Sequence, residues 1–199
     1  MTATHDRDLA SEQAVRAEAL EGLLIEKGIL SETEVDHYIE TWSERVGPMI
    51  GARVVARAWV DEGFQQRLRE DATTTVAEVG VNPGRLERLE VVVNEPGVHN
   101  VVCCTLCSCY PWTLLGLPPG WYKSPEYRSR IVREPRAVLA EMGLELEEDT
   151  TINVWDSSSE VRYLVIPERP PGTEGLDEEE LAALVTRDSM IGVARPALP

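Results

Sequence analysis

Residues 98–109 read VHNVVCCTLCSC, and this stretch joins a predicted β-strand to a loop that contains all four cysteines of the 199-residue chain. Cys104, Cys107 and Cys109 follow a C-x-x-C-x-C spacing. Thiols that occur in one place only indicate a local chemical site, whereas scattered cysteines serve as staples or as core filler. Three sulfurs at this spacing can converge on one ion if the loop is tight.

Four interpretations of the cysteine loop follow from the residues alone. A disulfide fits the C-x-x-C pattern but gives the remaining cysteines no role. Structural zinc usually takes four ligands from two separated pairs, and His99 is the only histidine near the loop. Iron–sulfur proteins use other spacings and again need a fourth ligand. The last interpretation is a catalytic metal held by three soft thiolates, with open positions left for substrate.

The residues around the loop predict an α+β protein. Leu89, Val91 and Val93 alternate as in a strand, and residues 94–97 have the composition of a turn before the strand that begins at Val98. Residues 151–156 and 161–167 also alternate and predict a hairpin around residues 157–159. We therefore expect a helical N-terminal region or arm over residues 1–80, followed by an α+β catalytic domain over residues 81–199 with the metal loop at 104–109.

Several local signals predict where helices begin. Residues 31–34 (SETE) form a capping-box pattern, and prolines 125 and 135 suit the first position of a helix. Further predicted caps are Asp61, Asp71 and Asp177. The capping box opens a helix with a one-sided apolar stripe at Val35, Tyr38, Ile39, Trp42 and Val46. The first two helices carry apolar faces that either fold back on the domain or grip another subunit.

Charge and hydropathy exclude some classes of partner. The chain has 35 acidic and 19 basic residues, a net charge of -16. This balance argues against nucleic acid and against anionic membrane surfaces, which require clustered Lys and Arg. No segment approaches the roughly 20 apolar residues of a membrane span, and the first eight residues are polar. A cytoplasmic protein is expected, and one class of partner that suits its charge presents positive side chains.

Residues 104–112 (CTLCSCYPW) resemble the metal-binding claw of the nitrile hydratase α subunits. The resemblance extends over most of the chain from about Leu20 onward. Its other segments are GLPP (116–119), YRSR (127–130), REPR (133–136), VWDSSSE (154–160) and LVTRDSMIGV (184–193). It implies a layered α/β/β/α-type domain behind the helical arm.

The resemblance also implies a ligand set and a reaction. One low-spin, non-corrin cobalt(III) ion per chain is held by the sulfurs of Cys104, Cys107 and Cys109 and by the backbone amides of Ser108 and Cys109. Cys107 is expected as a sulfinic acid and Cys109 as a sulfenic acid, so that Cys109, Cys107 and Ser108 form the catalytic group. Thr105 is typical of the cobalt enzymes, whereas Ser at this position is typical of the iron(III) enzymes. The expected reaction is hydration of a nitrile to an amide, with water or the Cys109 sulfenate as nucleophile.

The implied partners are a β subunit, in an αβ or α2β2 assembly, a metal-loading activator protein and a small nitrile. The metal-bearing subunit of thiocyanate hydrolase has a similar claw and is the nearest alternative, and a non-catalytic metal-binding protein is another. A structural zinc protein with unoxidised cysteines is the simplest alternative.

A few residues outside the ligand set have two interpretations. Arg162 either supports the metal loop or forms a surface pair with Glu160. Tyr110 and Trp112 either line the substrate pocket or pack beneath the loop. His99 is expected to be a hydrogen-bonded strand residue. The sequence departs from the usual family pattern at Cys103, Thr113 and Gly120.

Overall fold

The computed structural model describes residues 3–40, 47–82, 87–107 and 109–198. The helices are α1 (Ala3–Glu26), α2 (Glu32–Glu40), α3 (Pro48–Val60), α4 (Glu62–Thr75), α5 (Trp112–Leu115), α6 (Pro125–Arg130), α7 (Pro135–Glu141), α8 (Glu178–Leu184) and α9 (Arg187–Ile191). The strands are β1 (Arg88–Val93), β2 (Val98–Cys103), β3 (Thr151–Asp156) and β4 (Val161–Ile166). None of the described helices is long and apolar enough to cross a membrane.

The predicted helix starts are confirmed where the structure describes them. The Ser31 hydroxyl and the Glu34 carboxylate bond each other's backbone N–H groups at 3.2 and 2.9 Å. Asp61 accepts from the N–H of Phe64 at the start of α4, and Asp177 completes a capping box at the start of α8. Asp71 accepts from Thr74 N–H, and its non-helical backbone produces a kink within α4. Of the predicted apolar stripe of α2, Trp42 and Val46 lie outside the described residues.

The predicted hairpin of residues 151–167 is wrong. β3 pairs in parallel with β2, from Val98↔Thr151 to Cys103↔Asp156, and β4 pairs in parallel with β1. The two strands therefore belong to different two-stranded sheets, and residues 157–160 cross from one sheet to the other. Sequence alternation identified both strands but carries no information about their partners.

The two sheets lie inside a layered α/β/β/α arrangement. Helix α4 packs on β1, β2 contacts β4 between the sheets, and α7 contacts β3 on the other side. The core between these layers includes Phe64, Val101, Leu139, Leu164 and Ile166, all completely buried. The fold class is therefore α+β, as predicted, and its parallel pairing brings the carboxyl ends of β2 and β3 together.

The chain divides into two compact units, Met1–Trp42 and Ser43–Pro199. Within the first unit, the side chains of Leu20, Leu23 and Ile29 are 59%, 50% and 63% exposed. The second unit contains the two sheets and the cysteine loop. The predicted boundary near residue 80 and the role of the first unit as an arm stay predictions.

Candidate metal centre

The cysteine loop begins where β2 ends. Cys103, the last residue of β2, is in register with Asp156, the last residue of β3. Carboxyl ends of parallel strands meet at one edge of a sheet, so the side chain of Asp156 is brought to the start of the loop. Ser157 N–H donates to Cys103 O at 2.8 Å and holds the two ends together.

Three cysteine sulfurs converge in the loop. The Sγ atoms of Cys104 and Cys107 are 3.6 Å apart, those of Cys107 and Cys109 are 3.2 Å apart, and all three lie within 4.8 Å of one another. The N–H of Cys107 also donates to Cys104 Sγ at 3.2 Å. Cys104 and Cys109 are buried and Cys107 is exposed, so the site opens at Cys107. Ser108, the predicted amide ligand, lies outside the described residues.

This geometry fits a single bound metal ion. With metal–sulfur bonds of about 2.3 Å, two thiolates at right angles around one ion lie roughly 3.3 Å apart. The observed separations of 3.2 and 3.6 Å are close to that value. Soft sulfur donors select transition metals over magnesium or calcium. No disulfide joins the cysteines that the structure describes.

Two side chains of opposite charge hold the first residues of the loop. Asp156 accepts from Thr105 N–H at 2.9 Å and from the Thr105 hydroxyl at 2.5 Å. Arg128 donates from Nε to Cys104 O at 3.1 Å and from Nη2 to Thr105 O at 2.8 Å. The Thr105 hydroxyl is therefore not free, and the loop start is fixed by charge-assisted hydrogen bonds.

Buried tyrosines donate hydrogen bonds to the backbone of the loop and of the strand that precedes it. Tyr122 Oη donates to Cys109 O at 2.9 Å, and Tyr127 Oη donates to Val102 O at 2.8 Å. The rings of Tyr110 and Tyr122 meet edge to face at 5.1 Å between centroids. Burial raises the pKa of all three phenols, so the hydroxyls of Tyr122 and Tyr127 remain neutral donors.

Arg162 lies beside Cys109. Burial raises the pKa of the Cys109 thiol to about 12, and the positive charge of Arg162 opposes that shift. The Arg162 side chain is only 12% exposed; its Nη2 lies 3.2 Å from a Glu87 carboxylate oxygen, and its Nη1 donates to Ser158 O. Its Nε is buried without a hydrogen-bond partner in the part of the chain that the structure describes.

The two aromatic candidates differ in exposure. Tyr110 is 2% exposed and packs beneath the loop, with its hydroxyl lacking a partner among the described residues. Trp112 is 44% exposed at the start of α5. Tyr110 thus combines core packing with an unused hydroxyl, and Trp112 presents its side chain to the outside.

The remaining singled-out residues do not add a ligand. Cys103 is completely buried, and burial raises the pKa of its thiol to about 12. Both ring nitrogens of His99 are engaged, with Asn94 Nδ2 at 3.1 Å and Gly192 O at 2.7 Å, as expected for a structural histidine. Thr113 is half-buried, and Gly120 has open space where a Cβ would lie.

Sequence reasoning missed four residues that hold the loop: Asp156, Arg128, Tyr122 and Tyr127. Asp156 is 51 residues and Arg128 is 23 residues from Thr105, so no local spacing connects them. The sequence feature that could have identified them is their position: Asp156 ends an alternating segment, and residues 127–128 follow a proline that starts a helix.

The sequence profile of the family described as "Nitrile hydratase, alpha chain" matches residues 11–194. The chain is 54% identical over 188 residues to the low-molecular weight cobalt-containing nitrile hydratase subunit alpha of Rhodococcus rhodochrous, covering 94% of this chain and 91% of that one. It is 52% identical to the cobalt-containing nitrile hydratase subunit alpha of Pseudonocardia thermophila, covering 94% and 93%. It is also 45% identical to the thiocyanate hydrolase subunit gamma of Thiobacillus thioparus, covering 89% and 77%.

Solved structures give the same result. An Fe-type nitrile hydratase mutant from Comamonas testosteroni Ni1 superimposes with a TM-score of 0.84 at 40% identity, covering 95% of this chain and 92% of that chain. A recombinant thiocyanate hydrolase with partially modified cobalt centres gives a TM-score of 0.77 at 42% identity, covering 92% and 89%. By the family profile and by these identities over nearly its whole length, the chain belongs to the nitrile hydratase α-chain family.

Proposed function

We propose that this chain is the metal-bearing subunit of a nitrile hydratase, a lyase that adds water to nitriles to form amides. The observation that carries the proposal is the convergence of three cysteine sulfurs within 4.8 Å on a loop that Asp156 and Arg128 hold in place. Family membership assigns the reaction class, and the sulfur cluster supplies the site at which it takes place.

The proposed cofactor is one cobalt(III) ion per chain. The donors are the sulfurs of Cys104, Cys107 and Cys109 and the backbone amides of Ser108 and Cys109. Cobalt is supported by the names of relatives at 50–54% identity and by Thr105, and iron(III) is the weaker choice because the Fe-type structure is 40% identical. When bound, the metal supplies Lewis acidity toward the nitrile.

The chain's own residues have separate roles in the proposed reaction. One water is added to the nitrile overall: an oxygen bonds to the nitrile carbon and both water protons end on the nitrogen, which gives the amide. The attacking oxygen is either that of the water itself or that of a Cys109 sulfenate, and in the second case water then releases the product and restores the sulfenate. Cys107, as a sulfinic acid, and the amide of Ser108 complete the catalytic group. We propose that Arg162 donates its Nε–H to an oxygen on Cys109; this is supported by the lack of a hydrogen-bond partner for Nε among the described residues and by the effect of the Arg162 charge on the Cys109 thiol. Tyr110 and Trp112 are proposed to border the substrate pocket.

The proposed partner is a β subunit, in an αβ or α2β2 assembly. Apolar side chains near the loop are exposed in this chain: Leu106 is 80%, Trp112 44% and Leu117 53% exposed. A second subunit that covers them also closes the side of the claw at Cys107. A metal-loading activator protein and a small nitrile complete the proposed set of partners, and a cytoplasmic location is proposed. The net charge of -16 argues against nucleic acid and against anionic membrane surfaces as partners.

A specific observation favours a second candidate, thiocyanate hydrolase. The gamma subunit of that enzyme is 45% identical to this chain, and its solved relatives share the fold. We rank it second because the nitrile hydratase α chains are more similar and the chain covers more of their length.

The test is turnover by the chain co-produced with its β subunit in cobalt-supplemented medium. We expect conversion of acrylonitrile to acrylamide, and little or no consumption of thiocyanate. The matched control is the same preparation carrying Cys109→Ala. Preferred turnover of thiocyanate would transfer the assignment to the second candidate, and bound cobalt without either activity would indicate a non-catalytic metal-binding protein.

A further inference from the structure

Helix α6 contacts the backbone around the start of the claw at three points. The neighbouring residues Tyr127 and Arg128 donate to the carbonyl oxygens of residues 102, 104 and 105 at 2.8–3.1 Å. Ser124 caps the first turn of this helix by accepting from Tyr127 N–H, and Pro125 occupies its first position. The donor side chains of Tyr127 and Arg128 therefore extend from a helix whose first turn is capped.

The Arg128 contacts define a change of backbone direction. Along a β-strand, successive carbonyl groups point to opposite sides, yet those of Cys104 and Thr105 both reach one guanidinium. Its planar edge offers Nε–H and Nη2–H as two nearly parallel donors, which a lysine does not possess. The bidentate contact thus stabilises the point at which the chain leaves β2 and turns into the claw.

Arg128 and Asp156 both bind Thr105. Asp156 binds the N–H and the hydroxyl of Thr105, and Arg128 binds its carbonyl, so each polar atom of Thr105 has a charged partner. In the described part of the chain, Arg128 forms no ion pair with a carboxylate. Its hydrogen bonds are directed at the loop.

We propose that Arg128 is a positioning residue for the metal centre. By fixing the carbonyls of Cys104 and Thr105, it sets the direction of Cys104 Sγ relative to the sulfurs of Cys107 and Cys109. The inference rests on the proposed function, since it concerns metal held by the same three sulfurs. Groups that orient metal ligands from outside the ligand set commonly change metal affinity about 10- to 100-fold when removed.

The experiment compares Arg128→Met and Arg128→Lys with wild type, each purified as the complex with the β subunit from cobalt-supplemented medium. The control is Arg133→Met, because Arg133 follows the same helix and its Nε donates to a backbone carbonyl, Ser129 O, at 2.8 Å, away from the claw. Two quantities are measured: the rate of cobalt loss to an excess of chelator, and the visible sulfur-to-cobalt charge-transfer absorption.

We expect Arg128→Met to lose cobalt about 10- to 100-fold faster than wild type and to show a shifted absorption band. Arg128→Lys is expected to be intermediate, because it retains the charge and one donor, and Arg133→Met is expected to match wild type. If Arg128→Met does not fold, Arg128→Lys carries the test through the same two readouts.

Wild-type cobalt retention and an unchanged band in the Arg128 variants would overturn the inference while the proposed function stands. An equal effect of Arg133→Met would also overturn it, since it would indicate general destabilisation. Wild-type protein that binds no cobalt would overturn both the inference and the proposed function.

Discussion

The two ends of β2 carry two different kinds of buried polar cluster. At its start, His99 Nε2 bonds Gly192 O and its Nδ1 bonds Asn94 Nδ2. The side chain of Asn94 accepts from the backbone and side chain of Asn100, whose own oxygen accepts from the Trp155 indole at 2.9 Å. The cluster joins β1, β2, β3 and the end of α9, and its side chains bond one another.

At the other end of β2, the claw region contains buried polar side-chain atoms that form no hydrogen bond within the described residues. Buried side-chain atoms in this region without a hydrogen-bond partner among the described residues are Tyr110 Oη, Ser157 Oγ and Arg162 Nε. Unpaired buried polar atoms cost stability, so their concentration near one site points to function. The His99 cluster is satisfied within the chain, whereas buried polar atoms at the claw end have no hydrogen-bond partner among the described residues, which fits the metal and substrate site proposed there.

The largest effect is expected from the claw sulfurs. Replacing Cys104, Cys107 or Cys109 singly with Ala should abolish cobalt retention and activity, because each removes one of three converging donors. The far-ultraviolet circular dichroism should remain that of wild type. Metal analysis of the purified complex checks the prediction, and full cobalt content in any one variant would break the proposed ligand set.

Substitutions in the His99 cluster should lower stability but leave cobalt binding intact. Asn94→Ala leaves the buried Asn100 N–H without its 2.8 Å partner, and we expect a loss of about 1–3 kcal/mol in the free energy of unfolding. The protein that remains folded should retain cobalt. Asn153→Ala is the matched control because its amide makes only a 3.4 Å contact to the same network, and it should cost less than about 1 kcal/mol. Denaturant titration combined with metal analysis separates the two roles, and cobalt loss from folded Asn94→Ala would contradict this division.

His99 should make the stability that the His99 cluster contributes sensitive to acid. Burial, assisted by the charge of Arg195, lowers the pKa of His99 below 6.5, although the bond to Gly192 O and the Glu168 charge partly oppose this. A histidine whose pKa is lower in the folded state contributes stability above its unfolded pKa, and this contribution is lost as the pH falls below about 6.5.

The predicted slope is up to about 1.4 kcal/mol per pH unit between the unfolded pKa of His99 and its lower folded pKa. His99→Gln should remove this part of the slope, whereas the exposed His37→Gln should leave it unchanged. The measurement is the free energy of unfolding from urea titrations between pH 7.5 and 5. An identical slope in His99→Gln would show that other groups cause the acid sensitivity.

The smallest effect is expected at Cys103. Its side chain is fully buried at the boundary between strand and claw, and its high thiol pKa of about 12 fits a small core residue. Cys103→Val should change the free energy of unfolding by less than about 1.5 kcal/mol and leave cobalt content and activity intact. Loss of cobalt from this variant would extend the functional region into β2.

Local spacing predicted the parts of the site that are close in sequence. The three claw cysteines lie within six residues, so their convergence could be predicted from their spacing. Asp156 and Arg128 reach the loop through parallel pairing of β2 with β3 and through the docking of α6, which are tertiary contacts between distant segments. The wrong hairpin has the same origin, because two alternating segments joined by a short link look identical whether they pair with each other or with earlier strands.

The most direct test of the central claim is a high-resolution mass of the proteolytic peptide spanning residues 103–109, prepared from protein purified with its metal. We expect three added oxygen atoms, two on Cys107 and one on Cys109, in a preparation that contains one cobalt per chain. An unmodified peptide from fully metal-loaded protein, or zinc in place of cobalt, would contradict the hydratase-type centre proposed for the claw end of β2.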